Sequence, residues 1–133
     1  KLKKGEFIHS IRIPLFKNNT FKAYKVSKRF DDDISSICAA FNLEIVKNKI
    51  QSVRIAYGGM AEIPKRAVFS EKILLNALFT EETIHKAKEA LEKDFKPISD
   101  MRASGLYRME VAKNLLEKCC AEIKQKKLIG IYF

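Results

Sequence analysis

Cysteine, histidine and long apolar runs are all scarce in this sequence of 133 residues. The three cysteines, Cys38, Cys119 and Cys120, form an odd set with two adjacent members, which is a poor basis for a disulfide framework. We therefore expect reduced thiols, as in a cytoplasmic protein. The two histidines, His9 and His85, lie far from the cysteine pair, and no C-x-x-C motif occurs. The sequence therefore predicts no metal site.

Segments that would cross or enter a membrane are also missing. No apolar run approaches the length of a membrane-spanning helix. Residues 1–30 are rich in charge and lack the apolar centre of a signal peptide. We therefore expect no membrane partner. Because the first residue is Lys1 rather than methionine, we also expect a processed or excised chain that shares its function with residues outside this sequence.

The charge balance is strongly basic, with a formal net charge of +10. Such a charge could serve nucleic acid or another anionic partner. The basic residues are spread along the chain with acids among them, and no nucleic-acid-binding motif is recognisable. A solvated surface, or a surface that faces an acidic neighbouring domain, is therefore the favoured interpretation, and nucleic-acid binding the less favoured one.

The first half of the chain has the alternation of apolar and polar residues that is typical of β-strands. We predict strands over Phe7–Ile13, Thr20–Val26, the apolar run Ile34–Val46 and Val53–Tyr57. Pro14 ends the first of these, Asn48 lies at the tip of a hairpin turn, and Gly58-Gly59 ends the last. Four strands in a row with short turns indicate an antiparallel meander.

The second half has the spacing of helices. Ser70 is the predicted cap of a short turn through Leu75, and Thr80 the predicted cap of a helix with an apolar stripe. A final helix is predicted from about Ser104 to Gln125. We therefore expect a single α+β domain over residues 1–133, with an antiparallel sheet of three to four strands packed by about three helices.

Two short motifs could bind a ligand but have simpler explanations. Gly58-Gly59 follows a strand, as a phosphate-binding turn would, but the G-x-G-x-x-G pattern is absent and a turn that needs positive φ is favoured. Asp31, Asp32 and Asp33 are adjacent, yet consecutive acids on a strand alternate in direction and do not converge on a cation. A polar tip between two strands is the favoured interpretation of this second motif, and a ligand-facing role stays open.

The stretch Asp94–Leu116 raises the question of a catalytic site. Asp100 and Arg102 are close enough in sequence to form a pair, and Ser104 can cap the final helix. No histidine or cysteine lies near Ser104 to activate it as a nucleophile. The residues themselves therefore predict a structural joint, and no catalytic residue.

Four segments, in their order along the chain, resemble a known family. They are AYKVSKRFDDDISSI (23–37), VRIAYGGMAEIPKRA (53–67), FTEETIHKAKEAL (79–91) and DFKPISDMRASGLYRMEVAKNLL (94–116). Together they resemble the C-terminal part of the FAD-binding domain of the xanthine dehydrogenase family, which includes the medium flavoprotein subunit of carbon monoxide dehydrogenase. The last segment is most similar in form to the small subunit of bacterial xanthine dehydrogenases.

The resemblance implies an oxidoreductase that works as a larger complex. In that family a molybdenum cofactor hydroxylates the purine, and electrons pass through 2Fe–2S clusters to FAD and then to NAD. The main FAD-binding residues lie in an upstream domain, and the iron–sulfur and molybdenum sites lie in other parts of the complex. The chain would thus close one side of a flavin site and be inactive alone. The alternative is a stand-alone basic α+β module without flavin that binds nucleic acid or a protein.

The resemblance also implies which residues lie beside the flavin. Ile8 matches a family position that places an aliphatic side chain against the flavin ring. Lys25 matches a family lysine near the flavin, where a cation would favour the anionic reduced form. The segment that follows matches a mobile family loop near the flavin, here with Phe30 in place of a second arginine found in an animal relative. The expected loop residues are Lys28, Arg29, Asp31 and Asp32.

Overall fold

In residues 2–13, 19–29 and 33–125, which the computed structural model describes, four strands precede three helices. The elements are β1 (Thr20–Val26), β2 (Ile37–Val46), β3 (Lys49–Gly58), β4 (Lys65–Arg66), α1 (Val68–Leu74), α2 (Glu81–Asp94) and α3 (Gly105–Gln125). The strands form one antiparallel sheet in the order β1-β2-β3-β4. The predicted α+β class and antiparallel meander are confirmed.

The tight turn between β2 and β3 sets the register of the sheet. Lys47 and Asn48 have positive φ angles of 48° and 61°, as the two central residues of a type I′ hairpin turn require. The predicted hairpin with Asn48 at its tip is confirmed. Because side chains alternate along a strand, this register points Phe41 toward the helices and its neighbour Asn42 toward the opposite face.

The core lies between the sheet and the helices. Tyr24, Phe41, Tyr57 and Phe95 stack edge to face, with ring centroids 5.5–5.8 Å apart. The buried Tyr57 hydroxyl donates to the Ala112 carbonyl at 2.9 Å and so ties β3 to α3. The last helix contributes Ala112, Leu116 and Cys119 to this core, and all three are buried.

Two of the three predicted helix caps are confirmed. The Thr80 hydroxyl accepts from the Thr83 N–H at 3.3 Å, and the Ser104 hydroxyl accepts from the Tyr107 N–H at 3.1 Å. The prediction for Ser70 was wrong, because α1 begins after Ala67 and Ser70 lies inside it. The N–H of Ser70 is instead satisfied by the carboxylate of Asp94, which no local sequence signal connects to α1.

The predicted first strand, Phe7–Ile13, was also wrong. Residues 6–13 have no regular secondary structure, and Phe7, Ile11 and Ile13 are each 77% exposed. Alternation of apolar residues is a local signal, whereas a strand needs a neighbour to bond to. The structure instead adds the two-residue strand β4, paired to Ala56 and Tyr57, which is too short to show any alternation. Pro14, the predicted end of the first strand, lies outside the described residues.

Candidate functional site

One face of the sheet carries the helices, and the other, which we call the open face, carries small side chains together with several larger or charged ones. Its members point away from the core on β1, β2 and β3: Phe21, Ala23, Lys25, Cys38, Ala40, Asn42, Arg54, Ala56 and Gly58. In the part of the chain that the structure describes, no helix packs on this face. The open face is thus available to cover a planar group or a neighbouring domain.

Lys25 lies near the end of β1, at the edge of the open face. Its register partner is Cys38, which pairs in turn with Gly58. Lys25 is exposed, and no residue among those the structure describes accepts a hydrogen bond from it or forms an ion pair with it. The arrangement offers a cation beside small, uncharged neighbours, which is the chemistry predicted for a wall of a flavin site.

Ile8 lies outside the sheet. It belongs to the stretch before β1 that has no regular secondary structure, and it is 66% exposed. The two predicted flavin contacts therefore belong to different segments, Lys25 to β1 and Ile8 to the irregular stretch before it. An exposed aliphatic side chain is nonetheless available for an apolar contact with another surface.

The predicted loop residues lie between β1 and β2. The Lys28 ammonium donates to the Met101 carbonyl at 2.8 Å. The backbone N–H of Arg29 donates to the Asp33 carboxylate at 3.2 Å, and the guanidinium of Arg29 lies 3.8 Å from it. Asp31 and Asp32 lie outside the described residues. Lys28 and Arg29 are both exposed and present two cations close to the end of β1.

The base of this loop is held by a residue that sequence reasoning missed, Arg108 in the first turn of α3. Its guanidinium donates through Nη1 to the carbonyls of Ser36 and Gly59, the second at 2.8 Å, and through Nη2 to Asp100 at 2.7 Å. Only 3% of Arg108 is exposed. Its position four residues before the buried Ala112 was a usable signal, because that spacing puts a charge on the core face of the helix.

Asp100 organises the turn that precedes α3. Its Oδ1 accepts from the backbone N–H groups of Arg102 at 2.9 Å and Ala103 at 3.1 Å, and Asp100 N–H donates to the Ala103 carbonyl at 3.0 Å. The predicted pair with Arg102 is present at 3.5 Å. The bond from the Arg102 N–H, followed by the Arg108 guanidinium and then the bond from the Ala103 N–H, lowers the pKa of Asp100 to about 2.

Gly59 lies directly beside Arg108. Its φ of +81° confirms the turn with positive φ predicted for the glycine pair. A Cβ at this position would lie 3.0 Å from Arg108 Nη1 and would press on the Ser36 carbonyl. The glycine is therefore needed both for its backbone conformation and for the close approach of the guanidinium.

Within residues 2–13, 19–29 and 33–125, which the structure describes, no group of three or more histidine, cysteine, aspartate or glutamate residues is arranged to hold a metal ion. No helix in those ranges is long and apolar enough to span a membrane. Cys38 is an exposed free thiol, whereas Cys119 and Cys120 are buried free thiols.

The sequence matches a family model described as the CO dehydrogenase flavoprotein C-terminal domain, over residues 22–123. It is 30% identical over 121 residues to the glyceraldehyde dehydrogenase medium chain of Sulfolobus acidocaldarius, covering 90% of this chain and 42% of that one. It is 39% identical over 92 residues to a xanthine dehydrogenase of Emericella nidulans, covering 66% of this chain and 7% of that one. The chain thus spans less than half the length of these relatives.

The fold is also similar to that of a solved carbon monoxide dehydrogenase from Hydrogenophaga pseudoflava. The TM-score is 0.72 with 21% sequence identity, and the similarity covers 77% of this chain and 36% of that chain. At this identity the likeness concerns the fold, which has the same arrangement of a small sheet and helices.

Proposed function

Because the chain belongs to the family of CO dehydrogenase flavoprotein C-terminal domains, we propose that it closes one side of a flavin site in a larger oxidoreductase. In this proposal residues 1–133 form a single domain, the C-terminal subdomain of the FAD-binding part of a molybdenum-containing xanthine dehydrogenase. The observation that carries the proposal is the exposed Lys25 at the edge of the open face, with Cys38 and Gly58 as its neighbours in register and two further cations, Lys28 and Arg29, shortly after it in the chain.

The residues present fit one wall of a flavin site rather than a whole one. A cation and an aliphatic side chain are available at Lys25 and Ile8, both exposed. No Gly-rich phosphate-binding turn accompanies them in the sequence. The main FAD-binding residues would therefore come from an upstream domain, and the chain alone would be inactive. When bound, FAD would accept electrons from 2Fe–2S clusters and pass them to NAD.

Each proposed contact has a separate physical role. The Ile8 side chain would pack against the ring and exclude water. The Lys25 ammonium would stabilise negative charge on the ring and so raise the flavin's reduction potential. The loop beside the flavin would contain Lys28, Arg29, Asp31 and Asp32. These residues would set the charge of the surface through which NAD reaches the flavin.

The remaining partners follow from the same proposal. They are the iron–sulfur domain and a molybdenum-binding subunit, in a cytoplasmic complex. The likeness to a named xanthine dehydrogenase supports xanthine as the substrate. The likeness to a glyceraldehyde dehydrogenase medium chain supports the shared oxidoreductase architecture, but it does not favour a purine as the substrate. Substrate choice would lie at the molybdenum site, outside this chain.

Substitution of Lys25 tests the proposal in the full-length subunit that contains this chain. We expect Lys25→Ala to make the flavin potential more negative or to lower the FAD content, because a cation beside the reduced flavin is lost. Lys86→Ala is the matched control, since Lys86 is an exposed cation on α2 that pairs with Glu82, on the helical side of the sheet. An unchanged potential together with unchanged FAD content would remove Lys25 from the flavin site.

The visible absorption spectrum of the same full-length polypeptide separates the proposal from its alternative. Flavin bands, with or without iron–sulfur absorption, are the expected result. A folded but colourless polypeptide would favour the stand-alone basic binding module instead. Salt-sensitive binding to an oligonucleotide would then identify nucleic acid as its partner.

A further inference from the structure

The last helix, α3, forms a hydrogen bond to the β1–β2 loop through Arg108. The proposed flavin contacts do not depend on this bond. We call the described parts of that loop, Ser27–Arg29 and Asp33–Ser36, the loop arms. The second arm ends at Ser36, whose N–H donates to the Val26 carbonyl at 2.8 Å and closes the base of the loop. The carbonyl of the same residue accepts from the Arg108 guanidinium. Arg108 therefore holds the point at which the chain re-enters the sheet.

The first loop arm is held by the turn that Asp100 builds. The Met101 carbonyl, in that turn, accepts from the Lys28 ammonium at 2.8 Å. The Arg102 carbonyl, one residue further on, lies 3.5 Å from the Ser36 hydroxyl. Since Asp100 bonds both to the turn and to Arg108, the guanidinium, the turn and the two loop arms form one connected set.

A role in helix packing alone does not account for this set. An apolar side chain in the first turn of α3 would fill the same space without the cost of burying a guanidinium. Arginine instead provides a rigid planar fork whose donors reach three acceptors at once: the Ser36 carbonyl, the Gly59 carbonyl and the Asp100 carboxylate. Two of the three acceptors lie beside strand ends. Ser36 directly precedes β2, and Gly59 directly follows β3.

We infer that Arg108 is a positioning residue: with Asp100 it fixes both loop arms and so sets where the Lys28 ammonium lies relative to the flavin. The second half of the inference, the link to the flavin, rests on the function proposed above. The first half, the hold on the loop arms, concerns this chain alone. The two halves can be measured separately.

The experiment compares variants of the full-length subunit in its native complex by hydrogen exchange and by flavin potential. Arg108→Met removes the donors while keeping most of the side-chain volume, and Arg108→Lys keeps the cation without the fork. Lys113→Met is the matched control, because Lys113 is a mostly buried cation on the same helix that pairs with Glu89 and Glu92, away from the loop. If Arg108→Met fails to fold, the same two measurements are made on Asp100→Asn.

We expect amide exchange in a peptide over residues 27–36 to become about tenfold faster or more in Arg108→Met, the factor implied by loss of a hydrogen bond to a charged group. Arg108→Lys should fall between this variant and the parent, and Lys113→Met should match the parent. The flavin potential should move in Arg108→Met in the direction that Lys25→Ala moves it, and stay unchanged in Lys113→Met.

Unchanged exchange over residues 27–36 in Arg108→Met would overturn the inference, whatever the flavin does. Faster exchange with an unchanged potential, in a complex where Lys25→Ala does shift the potential, would overturn the link to the flavin. If Lys25→Ala has no effect on potential or FAD content, the proposed function fails at this site. The exchange measurement then still decides whether Arg108 holds the loop.

Discussion

Asp94, the last residue of α2, caps the start of α1 through Ser70. Its Oδ2 accepts from both the N–H and the hydroxyl of Ser70 at 3.0 Å, and its Oδ1 accepts from the Phe69 N–H at 2.8 Å. The Ser70 hydroxyl also lies 2.9 Å from the Ala87 carbonyl. A seven-residue helix with no cap of its own is thereby held to its neighbour by a buried carboxylate.

Asp94→Ala should lower the free energy of unfolding by about 2 kcal/mol, because two N–H groups at the start of α1 lose a charged acceptor inside the fold. Thermal or denaturant unfolding of the full-length subunit measures the effect. Glu82→Ala is the control, an exposed acid on the same helix whose pair with Lys86 lies at the surface. Equal stability of the two variants would show that the Asp94 cap contributes nothing.

Ser104→Ala should cost about 1 kcal/mol of stability, because the Tyr107 N–H loses its acceptor at the start of α3. Turnover per folded enzyme should stay unchanged, since Ser104 acts as a helix cap and not as a nucleophile. Ser104→Asp should restore the stability, because aspartate also accepts at this position. A collapse of turnover in fully folded Ser104→Ala would contradict the structural role.

The lowered pKa of Asp100 predicts that the stability of the folded state depends on pH. The folded value is about 2 against an ordinary value of 3.8, so the carboxylate binds its proton more weakly in the folded state. The resulting stabilisation is present above about pH 4 and is lost as the pH falls through about 2. Asp100→Asn removes this titration. We therefore expect the stability difference between the parent and Asp100→Asn to shrink over that range, and a constant difference would refute the assignment.

The three thiols should differ sharply in reactivity. Burial raises the pKa of Cys119 and of Cys120 to about 12, whereas Cys38 is exposed on the open face. A thiol reagent at neutral pH should therefore modify Cys38 alone in the folded chain and all three cysteines in denaturant. Cys38→Ser should abolish the reaction of the folded chain. Rapid reaction of the buried pair in the folded protein would show that α3 opens from the sheet.

The same reagent reports on the open face in the complete enzyme. Cys38 is the register partner of Lys25, so a flavin or neighbouring domain that covers Lys25 should also shield this thiol. We expect slower labelling of Cys38 in the native complex than in a form without FAD. Labelling that is equally fast in the two forms, at the rate of the uncovered chain, would place the flavin away from this edge of the open face.

Local patterns along the sequence determined much of this protein. Alternation predicted β1 and part of β3, and the apolar run Ile34–Val46 predicted β2. The Asn48 turn predicted the hairpin between β2 and β3, and Thr80 and Ser104 marked the starts of the long helices. Each of these signals acts over a few residues, which is why it can be read before the chain folds. The resemblance of four ordered segments to a family is confirmed by the match over residues 22–123.

Tertiary structure alone decided the features that depend on distant partners. The cap of α1 comes from Asp94, 24 residues beyond Ser70, and the base of the β1–β2 loop is held by Arg108, 72 residues beyond Ser36. The alternation of Phe7–Ile13 made no strand, because a strand exists only where another pairs with it. Periodicity reports which face of an element is apolar, but it cannot report which distant group will satisfy a given N–H, carbonyl or charge.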